Sequence, residues 1–167
     1  MQTVAENFLT FAARRLHQSQ SEIARCVDQL SEEQMWHRGG DHENSVANLL
    51  LHLEGNIRQW FLHGIAGQPD VRLRDDEFTL TPTMSSAKAL AAFNATLDES
   101  AAVVASVTHT RLLEVIDPQP TGTWRNMTIL EAIFQVVSHL QLHTGQIILL
   151  TKQFVQHDLD LTMPRKR

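Results

Sequence analysis

The sequence predicts an all-α protein, a bundle of four long amphipathic helices. Three observations carry this. Apolar residues recur at three-and-four spacing through four separate stretches, the period of a helix that buries one face. Pro69, Pro118 and Pro120 fall in the connections between those stretches. The strongest stretch, residues 128–156, contains no proline and one glycine. With 167 residues the chain can bury a real core, and residues 1–167 read as a single domain without internal repeats.

The first helix is expected over residues 3–30, with Phe8, Phe11, Ala12, Ile23 and Leu30 among polar residues and a bend or break near Gln18–Ser21. Ser31, followed by Glu32, Glu33 and Gln34, starts a short helical turn that Gly39-Gly40 stops. The second helix covers about 45–66, capped by Asn44 or Ser45, with Val46, Leu49, Leu50, Leu53, Ile57, Trp60 and Phe61 as a broad apolar face. Residues 67–84 then lack a helical period. They are rich in charge (Arg72, Arg74, Asp75, Asp76, Glu77), with Phe78 and Leu80 as candidate anchors. That gap is longer than most helix–helix connections need. It suits either a return crossover, leaving the second and third helices parallel, or a lid over one end of the bundle. The third helix runs over about 85–111 and is rich in alanine. Residues 112–116 either extend it or form a short extended piece, and a turn region follows from Asp117-Pro118 to Gly122. Trp124 is placed as a plug on the core before the last helix, 128–156, which Thr128 and Glu131 open as a capping box.

Composition narrows the function. A net charge of -5 gives no electrostatic case for nucleic acid, and the basic end around Lys166 reads as a solvated tail. The amino terminus lacks a signal-peptide core, and no uncharged apolar run reaches the roughly 18 residues of a membrane span. Cytoplasm is the expected compartment. Cys26 stands alone, which excludes an intrachain disulfide and suits a small buried side chain.

The informative feature is nine histidines. His139 and His143 lie one turn apart on one side of the last helix, among Ala132, Val136, Ile147 and Leu150. Such a pair suits either a metal or two ordinary hydrogen-bonded core imidazoles. His52, mid-helix in NLLLHLEGNIRQW, is the candidate third ligand. Gly55, one turn on, leaves room for a ligand or a close neighbour. The bland alternative is an imidazole bonded to a backbone carbonyl or to Glu54. His17, His37, His42, His63, His109 and His157 have weaker claims.

The segments SVANLLLHLEGNIRQW and SHLQLHTGQI, taken together, resemble the DinB-like superfamily of small four-helix bundles, in the branch of metal-dependent hydrolases and bacillithiol transferases. The likeness spans essentially the whole chain. It implies an up-down-down-up topology with a long crossover between helices two and three. It implies three metal-binding histidines, which fall on His52, His139 and His143, and a homodimer. It also implies chemistry with a low-molecular-weight thiol (bacillithiol, mycothiol or glutathione in relatives of known activity).

The expected function is therefore that of a divalent-metal-dependent enzyme whose open coordination position holds a thiol or water. Zinc fits best, and nickel, iron and manganese also accept imidazole. Gln146, Glu54, Asn48 and Asn56 are candidates to bond the outer ring nitrogens. No carboxylate stands out as a general base, which favours thiol transfer over hydrolysis of an amide or ester. A non-catalytic bundle that binds a metal or small molecule, and an inert bundle with core histidines, are the rivals. Catalytic residues beyond the ligands, and residues that bind the thiol, are not assigned.

Overall fold

A computed structural model describes residues 2–120 and 126–161. The described residues form five α-helices, one π-helical segment and one 3-10 turn, and no strand. The fold is all-α. Helix α1 spans Val4–Val27, α2 Glu32–Trp36, α3 Val46–Ile57, α4 Ser86–Ser106 and α5 Ile129–Val155. The π-helical segment Arg58–Ile65 continues α3 directly.

Local chemistry sets most boundaries. Thr3, Ser31, Ser45 and Thr128 each close a capping box, the side chain accepting the N–H three residues on while Glu6, Gln34, Asn48 or Glu131 returns to the cap's own N–H. Helix α1 is unbroken through residues 18–21, contrary to the expected bend. Ser19 is fully buried there, and its hydroxyl accepts from Gln141 of α5. The polar residues that blur the pattern are thus an interhelical contact. Helix α1 also ends at Val27 rather than near residue 30, because Ser31 opens a helix of its own. Helix α4 stops at Ser106, short of residue 111, where Val107 turns to extended backbone. Of the two readings of residues 112–116, the extended one holds: Val115 pairs with Thr128 in an isolated antiparallel bridge. Trp124 and Lys166 lie outside the described residues.

The apolar face of each long helix enters one core. Leu16 and Ile23 of α1, Leu50 and Leu53 of α3, Phe93 and Leu97 of α4, and Ile133, Leu140 and Ile147 of α5 are fully buried. Helix α1 packs on α4 and α5, and α3 packs on the same two helices. Cys26 is buried in this core, and burial pushes its thiol above the usual range. The connection between α3 and α4 folds onto the bundle. Its 3-10 turn, Arg74–Phe78, lies back against α3, so Glu77 is buried and Phe78 half-buried, while Leu80 is exposed. No helix among the described residues is long and apolar enough to cross a membrane.

Candidate metal centre

Helix α3 presents His52 toward α5, which presents His139 and His143 from successive turns. One ligand atom from each of the three imidazoles lies within 4.8 Å of the other two. His52 Nε2 is 3.2 Å from His139 Nε2, which is 2.9 Å from His143 Nε2. His52 is buried and the other two are half-buried. The three residues expected from the sequence are therefore brought together.

The outer ring nitrogens fix the tautomers. His52 Nδ1 lies 2.8 Å from Glu77 Oε2. An ionised carboxylate only accepts, and it lies closer to Nδ1 than Arg72 Nη2 does at 3.3 Å, so Nδ1 carries the proton and Nε2 is a bare lone pair. His143 Nδ1 is 2.6 Å from Gln146 Oε1, and the same reasoning leaves its Nε2 bare. Two lone pairs thus face His139 Nε2, which has at most one proton to give. His139 Nδ1 is itself buried with no partner among the described residues. A divalent cation held by the three rings would resolve this arrangement. Nitrogens tetrahedrally placed at about 2.0–2.1 Å from zinc sit about 3.4 Å apart, close to the separations here. The donor set fits an imidazole-preferring divalent ion, and among the described residues no carboxylate or thiolate joins the three imidazoles as a fourth ligand.

Glu77 is the functional residue that the sequence did not reveal. Burial pushes its carboxyl up, but hydrogen bonds from Arg72 and His52 outweigh this and hold it below the usual carboxylate value. Arg72 Nε donates to Oε1 at 2.6 Å and Nη2 to Oε2 at 2.8 Å, a bidentate pair whose side chains are about 5% and 6% exposed. The resulting chain, Arg72–Glu77–His52, orients the imidazole from behind. Gly55 makes it possible: a Cβ there would overlap Glu77 Oε1 and crowd Arg72 Nε. The small residue one turn from His52 was the one legible hint of this neighbour. Of the other expected outer partners, Gln146 does bond His143. Glu54 pairs with Arg58 and accepts from Thr96 instead, and Asn48 holds Ser45, Arg38 and the carbonyls of Glu77 and Thr79. Asn56 Oδ1 is buried and bonds none of the three imidazoles. The Phe78 ring covers His52 at a centroid distance of 5.1 Å.

The site's electrostatics suit a cation only when the rings are neutral. Burial first, then the neighbouring His143, His52 and Arg72 charges, lower His139 to about 4. Burial likewise lowers His143, against the Gln146 bond that raises it. In metal-free protein, His139 goes from 6.5 unfolded to about 4 folded, so the unfolded chain binds the extra proton between those values. Stability is therefore lost as pH falls through that window. Glu77, held below 4.5, contributes stability above that value that is lost on further acidification. Urea unfolding of chelator-treated protein is expected to show a lower midpoint at about pH 5 than at about pH 7, a difference that His139→Ala reduces.

The remaining histidines have ordinary partners or surroundings. His63 Nδ1 meets the Gln68 carbonyl, His17 meets Gln20, and His37 packs edge-on against Phe154. No curated protein matches the chain. Residues 3–167 match the model of a family described as a protein of unknown function, DUF1572. That match covers nearly the whole sequence and includes all three clustered histidines, and the chain belongs to this DUF1572 family.

Proposed function

We propose that the protein is a divalent-metal-dependent enzyme of the DinB-like type that brings a low-molecular-weight thiol to an electrophilic small molecule. The observation that carries the reading is the convergence of two bare Nε2 lone pairs on His139 Nε2. His52, His139 and His143 would hold the ion, with zinc the best fit and nickel, iron or manganese acceptable. The helices and the long connection between α3 and α4 agree with a four-helix up-down-down-up bundle, and a homodimer is part of the same reading.

A bound cation supplies positive charge that lowers the pKa of a thiol or water reaching its open position. The protein's own residues set the conditions for this. Three neutral imidazoles leave the ion's charge undiminished, and Arg72 cancels Glu77 behind His52. Gln146 and Glu77 hold two rings in the tautomer that offers Nε2. Glu77 is engaged by Arg72 and His52 and is not placed to take a proton from water, which favours thiol transfer over hydrolysis. In the transfer, the thiol gives its proton to solvent, sulfur bonds the electrophilic carbon, and the leaving group departs with the electron pair of the bond that breaks.

Zinc-loaded protein is expected to accelerate displacement of halide from an aryl halide by a small thiol, with halide release as the readout. His139→Ala/His143→Ala is expected to abolish the acceleration. Equal rates for the two proteins in the presence of zinc would rule out the thiol-transfer reading.

A further inference from the structure

The face of α5 that carries the two histidines continues beyond them. Gln146, Leu150 and Gln153 extend the three-and-four row from His139 and His143 toward the C-terminal end of the helix. Each lines a cavity. One, of about 300 Å³, lies among Gln146, Leu149, Leu150, Leu49 and Asn44. The next, of about 210 Å³, is walled by Arg38, Glu43, Leu150, Gln153 and Phe154. Glu43, Asn44 and Leu150 line both, so the two adjoin along one cleft. Gln146 joins that cleft to the histidines through its bond to His143.

The walls have a definite chemistry. Leu49, Leu149, Leu150 and Phe154 supply an apolar floor. Arg38 Nη2 donates to Asn48 Oδ1 and to the Phe78 and Thr79 carbonyls, which fix the guanidinium without neutralising it. Glu43 accepts from the Gly39 N–H, and the exposed His42 ring lies 3.8 Å from its Oε1. Arg38 and Glu43 thus line one cavity as residues of opposite charge and form no ion pair with each other. A ligand with a single charge would satisfy one and oppose the other.

We propose that this cleft binds a zwitterionic small molecule with an apolar body, an amino acid or amino-acid derivative. Its carboxylate meets Arg38, its ammonium meets Glu43, and its apolar part lies on the leucines. The reading of the histidines as a reacting centre gives the ligand's direction, toward Gln146, and the charge pairing stands apart from it.

Calorimetric titration with L-norleucine, hexanoate and pentylamine separates these contributions, since the latter two delete one charge each. Norleucine is expected to bind about tenfold more tightly than either. Glu43→Gln, a change at an exposed position, is expected to weaken norleucine and tighten hexanoate, so that the preference between them is lost. The same order is expected in chelator-treated wild type and in His139→Ala, where an amino acid cannot bind by chelating a metal. Equal affinities, no norleucine binding, or a preference that disappears with the metal would each overturn the proposal. Absence of metal would count against the enzyme reading alone and would leave the order of affinities to decide the cleft.

Discussion

Glu77→Ala is expected to be among the most damaging single changes in this protein. It removes the carboxylate from a buried pair and leaves the Arg72 guanidinium uncompensated, at a cost of about 3–5 kcal/mol. It also removes the acceptor that holds the proton on His52 Nδ1 and leaves that nitrogen facing Arg72 Nη2, a donor, so the tautomer that offers Nε2 is no longer favoured. Loss of such an outer partner weakens metal binding by about 10–100-fold. Urea unfolding of the metal-free protein and zinc titration would measure the two effects separately. Glu77→Gln keeps the shape and is expected to fall between wild type and alanine in both. Gly55→Ala should weaken zinc binding in the same direction without touching either charge, because its methyl group displaces Glu77. If Glu77→Ala changed stability but left zinc affinity intact, the carboxylate would be a structural ion-pair partner only.

Zinc is expected to stabilise the folded protein by mass action. At a free concentration about a thousandfold above its Kd, the gain is about 4 kcal/mol, visible as a rise in Tm or in urea midpoint. His139→Ala/His143→Ala should lose the gain entirely, since one imidazole cannot hold the ion in place. The variant itself should fold. His139 and His143 are half-buried, and removing them relieves the crowding of three nitrogens rather than opening a core cavity. An equal rise in Tm for both proteins would place zinc elsewhere, for instance on the exposed His42.

The candidate ligands were legible because helix periodicity is a strong constraint. An i,i+4 pair must share a face, and the apolar neighbours of His139 and His143 put that face toward α3. His52 followed from its own apolar neighbours, Leu49 and Leu53. The helix starts were equally readable, since each capping box is a local event settled within four residues. What escaped was nonlocal. Glu77 sits in a run of charged residues with no period, among Asp75 and Asp76, which stay exposed. Only the fold brings Arg72 to it and lays the turn on α3. Gly55 hinted at a close neighbour but could not say which. The buried Ser19 was misread for a similar reason, because its partner Gln141 lies on a distant helix. Helix α4 was drawn too long because its alanine-rich pattern fades rather than stops, and the stop comes from the extended backbone at Val107.

The central claim is that His52, His139 and His143 hold a divalent cation. The most direct test is the metal content of purified protein without a polyhistidine tag, measured beside His139→Ala/His143→Ala. The account predicts about one zinc or other transition ion per chain in the wild type and none in the variant. No ion in either protein, even after incubation with Zn²⁺, Ni²⁺, Fe²⁺ and Mn²⁺, would contradict it and leave three imidazoles that share a core.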